Sequence, residues 1–199
     1  MIAHPVQFHV HASRLRRIHV VIRIAALAVL ASVGCSSAYW LLYLALPVLA
    51  AFLLSRDGAE RYLGSDASIA VRVLRWVAGA YAYVWLLTDA LPTGDVNGPV
   101  ELTIEVGGKP TPGSALWRLI TSLPALLLLV AMSMVAAVLW IIAAVTALAT
   151  ERVPAAITGF IAMKLRYQFR VVAYHLSLVD AYPAVSDSAQ PHAPQPGAA

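Results

Sequence analysis

Charged residues are scarce in this chain of 199 residues. Lys, Arg, Asp and Glu together make up 12% of it, and hydrophobic residues make up 60%. Soluble domains average about 25% charged and roughly 45–50% apolar residues. A water-soluble protein of this composition would have too few polar side chains to cover its surface, so we expect a membrane protein.

Recognisable catalytic and metal motifs are also lacking. The sequence contains no H-E-x-x-H, no Gly-rich phosphate loop and no G-x-S-x-G elbow. The single Cys35 excludes an internal disulfide. His9 and His11 share one face of a short alternating segment, but no Cys, Asp or Glu nearby completes a ligand set. We therefore predict no enzyme, cofactor or nucleic-acid partner, with a metal site at these histidines as the alternative to a polar strand face.

Two long runs carry no charge at all, residues 24–55 and 119–150, each of 32 residues. As one helix, such a run would extend about 48 Å, against a hydrocarbon core of about 30 Å. We therefore predict two short crossings in each run, with turns near residues 34–38 and 131–134. A single steep helix and a re-entrant hairpin are the alternatives.

The basic residues support hairpins, because all 14 Lys and Arg lie outside the two uncharged runs. Excess Lys and Arg marks the cytoplasmic face of a membrane. If each run goes out and back, every basic residue and both termini lie on that face. The prediction is a multi-pass protein of a cytoplasmic (inner) membrane.

One stretch occurs twice. "LRWVAGAYAYVWLLTDALP" (74–92) and "LRYQFRVVAYHLSLVDAYP" (165–183) are identical at eight of nineteen positions. Upstream of each, "PVQFHV" and "PVELTI" alternate apolar and polar residues, which is typical of strands. We predict that these strands pair in a small cytoplasmic sheet, with the His face of one near the Glu face of the other.

Arginines among aromatic residues suit the headgroup region, so the repeated helix is predicted to lie along the membrane interface. A third crossing is the alternative.

The predicted fold class is thus an all-α integral membrane protein with two tandem repeats and a two-stranded sheet. Each repeat has a short strand, a transmembrane helical hairpin and an interfacial amphipathic helix. The predicted ranges are 1–94 for the first repeat (strand 5–10, hairpin 15–55, interfacial helix 66–90), 95–185 for the second (strand 99–105, hairpin 114–151, interfacial helix 155–181) and 186–199 for a disordered tail.

These repeated elements resemble a bacterial membrane family known as domain of unknown function 4389. The resemblance rests on "VLRW…AYAYVWLLTDALP" and on "LRY…RVVAYHLSLVDAYP", each preceded by an apolar segment and a short strand. Both halves resemble the family's unit, which implies two tandem copies. The first half departs at Gly79, where the second has Arg170. The resemblance implies a fold and no activity.

Asp89 and Asp180 lie near the predicted ends of the repeated helices, where the helix dipole disfavours a negative charge. Each follows its repeat arginine by fourteen residues, about 21 Å along a helix, so the two cannot pair within it. Arg23 and Arg118 are the expected partners. We interpret the pairs as structural clamps, with a proton or ion relay as the alternative. The candidate clamp or lipid-headgroup residues are Arg23, Arg75, Asp89, Arg118, Arg166, Arg170 and Asp180.

The function that these observations predict is a non-enzymatic membrane protein serving as a subunit or scaffold of a larger bacterial membrane complex. Its expected partners are membrane lipids, anionic ones included, and other membrane subunits or further copies of itself. The alternative is a small transporter or lipid-handling protein. Transport usually leaves charged or strongly polar groups within the crossings, and the uncharged runs contain no Asp, Glu, His, Lys or Arg.

Overall fold

A computed structural model describes residues 4–10, 15–32, 35–91 and 99–186 of the chain. The described part is mostly helical, with two short strands. A π-helical segment, Tyr62–Asp66, joins two of the helices. In chain order the strands and α-helices are β1 (Val6–Val10), α1 (Arg17–Ser32), α2 (Cys35–Arg61), α3 (Ala67–Val84), β2 (Val100–Ile104), α4 (Pro112–Thr121), α5 (Leu123–Thr150) and α6 (Ala155–His175).

The two strands form an antiparallel pair with Val6 opposite Ile104 and His9 opposite Glu101. The predicted pairing of the strands, with the His face beside the Glu face, is confirmed. Val6 and Phe8 are buried on one side of β1, while His9 is exposed on the other. Alternation therefore predicted correctly which face of each strand is polar; a slip of one residue would bring that face into the core.

The sheet packs on α6, which is the central helix of the described structure. Twelve of its 21 residues are buried. Phe169 stacks on Phe8 of β1 with ring centroids 5.6 Å apart and meets the edge of Tyr81 of α3 at 6.2 Å. Aromatic pairs at these separations add to the stabilisation that burial of the rings provides. Helix α6 thus joins the sheet to the helices.

Helix α4 begins at a well-formed cap and is followed at once by α5. The Thr111 side chain accepts a hydrogen bond from the Ser114 N–H, Ser114 bonds back to the Thr111 N–H, and Pro112 occupies the first turn. These are standard signals for a helix start. Helix α5 then continues without a break from Leu123 to Thr150, and ends where Glu151 adopts a left-handed conformation (φ 58°).

The tandem-hairpin membrane architecture predicted from the sequence is wrong. The predicted turn at 131–134 lies inside α5, because Ser133 alone does not interrupt a run of strong helix formers such as Leu, Ala and Met. Hairpin 114–151 is therefore a short helix followed by one long helix. In hairpin 15–55, α1 ends at Ser32 and α2 begins at Cys35, but α2 runs on to Arg61, with a kink at Gly58 (φ 76°). Of the described helices, α5 alone is long and apolar enough to cross a membrane.

The placement of the second repeated helix on the membrane interface is also wrong. Lys164, Gln168 and Arg170 of α6 are buried inside the protein. The polar groups that suggested headgroup contact bond protein groups instead. Multi-pass topology with both termini cytoplasmic depended on the hairpins and has no support from the fold. The predicted boundary between 94 and 95, and the predicted tail beyond Ser186, lie outside the described residues.

Candidate functional site

Two arginine–aspartate pairs hold the described structure together. In the first, Nη2 of Arg23 (α1) lies 2.6 Å from Oδ1 of Asp89 and donates to the Thr88 carbonyl at 2.9 Å. The guanidinium carbon lies 3.9 Å from the centre of the Tyr83 ring. Oδ2 of Asp89 accepts the Arg16 N–H at 2.5 Å. The Arg23 side chain is fully buried, so its charge has no compensation from water.

The second pair repeats this arrangement. Nη2 of Arg118 (α4) lies 2.5 Å from Oδ1 of Asp180, and Nη1 donates to the Tyr174 and Val179 carbonyls, each at 2.7 Å. The guanidinium carbon lies 4.5 Å from the Tyr174 ring centre. Oδ2 of Asp180 accepts the Lys109 N–H at 3.2 Å. We call Arg23–Asp89 the first clamp and Arg118–Asp180 the second clamp.

The helix that precedes each aspartate ends in the same way. Leu86 after α3 and Ser177 after α6 are both left-handed, with φ 62° and 54°. The next N–H reaches back five residues in both: Leu87 donates to Ala82 and Leu178 to Ala173. This is the Schellman pattern of helix termination, which reverses the chain direction sharply. Because the turn comes just before Asp89 and Asp180, it returns each carboxylate toward its arginine.

A glycine makes room for the second clamp. Gly108 has φ 106°, a conformation that residues with a Cβ rarely adopt. A Cβ at this position would collide with the Asp180 carboxylate. The neighbouring Gly107 has open space around it and donates its N–H to the Leu178 carbonyl at 3.0 Å. The loop before α4 therefore approaches the clamp by its backbone.

The remaining candidate residues lie apart from the clamps. Nε of Arg75 donates to the Leu102 carbonyl at 3.2 Å, which ties α3 to β2. Arg170 is buried in α6; its Nε donates to the Val6 carbonyl at 3.2 Å, and its Nη1 contacts the carbonyls of Ala184 (2.7 Å) and Ser186 (2.8 Å). Arg166 is half-buried on α6. The structure thus pairs Arg23 with Asp89 and Arg118 with Asp180. The other three candidate residues lie elsewhere in the fold.

A buried lysine is the main polar feature that sequence reasoning missed. Nζ of Lys164 lies 2.6 Å from Oε1 of Gln168, 4.6 Å from the Trp85 ring centre and 6.0 Å from that of Tyr81. Burial lowers the pKa of Lys164 to about 8. The spacing of Lys164, Gln168 and His175 on one helix face was the available signal, but the interfacial interpretation of α6 placed that face in the headgroups.

His175 lies on the same side of α6 and is completely buried against the edge of the Tyr43 ring. Burial, helped by the nearby positive charge of Arg118, lowers the pKa of His175 to about 4, although a backbone contact with Tyr43 opposes the shift. The imidazole is therefore neutral at physiological pH. It contributes a packed aromatic side chain rather than a charge to the centre of the protein.

No reaction centre emerges from the described residues. A groove of about 170 Å³ is lined by Val10, Leu87, Ala155, Thr158, Gly159 and Ala162, and Thr158 is its one polar side chain. Within the described ranges, no three His, Cys, Asp or Glu residues group as they would around a metal ion. His9 lies on the exposed strand face, and His11 falls outside the described residues.

Part of the chain matches a known protein family. Residues 112–186 match the family model described as "Domain of unknown function (DUF4389)". The match covers less than half of the chain and includes α4, α5, α6 and the second clamp, while the first clamp lies outside it. Neither a curated protein nor a solved structure matches the chain.

Gly108→Ala is expected to lower the free energy of unfolding by about 1–3 kcal/mol. The added methyl group forces Asp180 away from Arg118 and also strains a backbone with positive φ. Gly107→Ala is the matched control, because a methyl group there meets nothing, and should cost less than about 1 kcal/mol. Thermal or chemical unfolding in mild detergent measures both. Equal effects of the two changes would contradict this account of the second clamp.

Lys164→Met is expected to remove a pH dependence of stability at alkaline pH. The unfolded chain keeps an ordinary lysine pKa of about 10.4, so between pH 8 and 10 it binds more protons than the folded chain. Stability of the wild type should therefore increase as pH rises, by about 1–2 kcal/mol between pH 7.5 and 9.5.

The control for this measurement is Lys109→Met, which replaces an exposed lysine. It should keep the wild-type increase, whereas Lys164→Met should flatten it. Unfolding midpoints at a series of pH values supply the comparison. A Lys164→Met protein whose stability increases with pH as steeply as the wild type would contradict the assignment.

Proposed function

We propose that this chain is a non-catalytic membrane protein that acts as a subunit or scaffold in a larger membrane assembly. The observation that supports this most is the outward face of α5. In its most apolar stretch of 18 residues, only 22% of the residues are buried inside the protein. Soluble monomers rarely expose so large an apolar patch. The outward residues are Leu123, Leu127, Leu128, Met134, Val135, Val138, Ile141, Ile142 and Val145.

The apolar surface continues on neighbouring helices. Ile18, Val21 and Ile22 are at least half exposed on α1, and Phe52 is 59% exposed on α2. Near the amino end of α5, Trp117 of α4 is 61% exposed. Aromatic residues are common at membrane interfaces. An apolar exterior around a core that holds arginine, lysine and histidine suits a lipid environment.

A structural role accounts for the polar groups of the core. Arg23, Arg118 and Arg170 direct their guanidinium groups at carboxylates and carbonyls of the same chain. The groove contains the Thr158 hydroxyl but no general base among its lining residues to activate it, so nothing there favours a chemical reaction. Helix α5 and its neighbours offer apolar faces to the outside, which suits lateral association in a membrane.

We also infer that the first half of the chain is a divergent copy of the DUF4389 unit, and that the membrane is the cytoplasmic membrane of a bacterium. Two local features support the copy. The clamps occupy equivalent positions, and both aspartates follow a left-handed helix end at an offset of 91 residues. A common origin explains why a leucine takes a costly left-handed conformation at position 86, where glycine would be easier.

A small transporter or lipid-handling protein is the second candidate, and the Lys164 cluster favours it. Ionisable side chains buried within membrane proteins often mark the route of a substrate or a proton. Lys164 has Gln168 and the aromatic rings of Trp85 and Tyr81 around its amino group. For this candidate, Lys164→Met would abolish function while the protein remained folded and in the membrane. In a scaffold the same change would leave assembly intact.

Site-specific photo-cross-linking in native membranes tests the subunit proposal. A photoreactive amino acid replaces Leu127 or Val138, both of which point outward from α5. A subunit contacts its neighbour at fixed positions, so we expect a discrete protein adduct from at least one of them. Ser68, exposed on α3, is the matched control position and should give no such adduct.

Two outcomes would overturn the proposal. Adducts with lipid alone at both α5 positions would exclude a protein neighbour on this face and favour the lipid-handling candidate. Release of the protein from membranes by alkaline carbonate would exclude membrane integration. The Ser68 control guards against adducts that arise from random collision.

A further inference from the structure

The carboxyl end of α5 is enclosed by the start of α1. The Leu15 N–H donates to the Glu151 carbonyl at 3.3 Å. Nε of Arg17 lies 3.2 Å from Oε1 of Glu151, and its Nη2 donates to the Ala149 carbonyl at 3.4 Å. Arginine near the last carbonyls of a helix is also favoured by the helix dipole. These contacts bring two segments of the chain, more than 130 residues apart, to one end of the apolar helix.

This junction gathers three exposed arginines, Arg16, Arg17 and Arg152, which we call the α5 collar. Glu151 is the one carboxylate that bonds a collar side chain within the described residues, through Arg17. The Asp89 carboxylate bonds the backbone N–H of Arg16 and is already neutralised by Arg23. The side chains of Arg17 and Glu151 remain 61% and 52% exposed, so the collar keeps a net positive charge that faces outward.

The amino end of α5 adjoins exposed apolar side chains. Helix α4, which leads into it, exposes Leu116, Trp117 and Ile120. The arginine of α4, Arg118, is buried in the second clamp. The apolar face of α5 therefore ends in exposed cations at Thr150 and in aromatic and aliphatic side chains at Leu123.

The length of α5 brings the collar to the level of lipid phosphates. A helix of 28 residues extends about 42 Å. The hydrocarbon core is about 30 Å thick, and the bilayer with its headgroups is about 40–45 Å. If the helix crosses the bilayer, its ends reach the two headgroup regions. Arginine forks bind phosphate oxygens in a bidentate manner.

We propose that the α5 collar binds the phosphate groups of anionic lipids in the leaflet that faces the carboxyl end of α5. The proposal rests on the membrane location proposed above. It commits to lipid, because one lipid molecule offers a phosphate group at the level of the collar and acyl chains for the apolar face beside it. By the positive-inside rule, this leaflet is the cytoplasmic one.

The test compares thermal unfolding of the full chain in two kinds of lipid nanodisc. One contains phosphatidylcholine alone, and the other contains one third phosphatidylglycerol. The wild type should unfold roughly 4–8 °C higher in the anionic discs. Arg17→Gln together with Arg152→Gln should remove at least half of this difference. The matched control, Arg61→Gln with Arg72→Gln, neutralises two exposed arginines of α2 and α3 and should retain it.

Each other outcome overturns the proposal. No difference between the discs, or equal loss in the control variant, would exclude the collar as the site of lipid selectivity. Inorganic phosphate that stabilises the protein equally in phosphatidylcholine discs would make free phosphate the ligand. A protein that does not enter either disc would refute the membrane location itself, which is distinct from failure of the collar.

Discussion

A buried guanidinium paired with a carboxylate is the interaction on which this fold depends. An arginine enclosed in protein is tolerable only if nearly all of its charge is balanced locally. Arg23 and Arg118 meet that condition through Asp89 and Asp180, and each also contacts a backbone carbonyl and an aromatic ring. Nε and Nη1 of Arg23 have no hydrogen-bond partner among the described residues. The carboxylates reach them only because α3 and α6 end in left-handed turns. Each clamp therefore requires a particular helix end, and each helix end is fixed by its clamp.

Helix α5 has an exterior far more apolar than the surface of a soluble protein. Charged and polar side chains such as Lys164, Arg170 and His175 are inside, while leucine, valine and isoleucine cover the outside of α5. Water would penalise that exterior, whereas lipid would not. Lys164 and Arg170 are bonded within the chain, whereas His175 packs against the rings of Tyr43 and Tyr174. The outside of α5, limited by the collar at one end and by α4 at the other, is the surface on which function would depend.

The sequence predicted what rests on local pattern and on repetition. Alternation in "PVQFHV" and "PVELTI" predicted the strands and their pairing. The repeated Asp, together with the helix length that separates it from Arg75 or Arg166, directed attention to Arg23 and Arg118. Prediction from the sequence failed where the outcome depended on which side chains the folded protein buries. Ser133 was too weak a signal for a turn. The shared helix face of Lys164, Gln168 and His175 fits headgroup contact as well as burial under Trp85, so it did not decide between them. The need for glycine at position 108 likewise arises from Asp180, 72 residues away.

The most direct test of the central claim is a double-mutant cycle on the first clamp, using Arg23→Met and Asp89→Leu singly and together. If the pair carries the fold, each single change leaves a charge buried alone and should cost about 3–5 kcal/mol of unfolding free energy. The double variant, which buries neither charge, should be no less stable than either single variant. The free energy of unfolding of each variant is measured in mild detergent. A double variant whose loss of stability equals the sum of the two single losses would contradict the account.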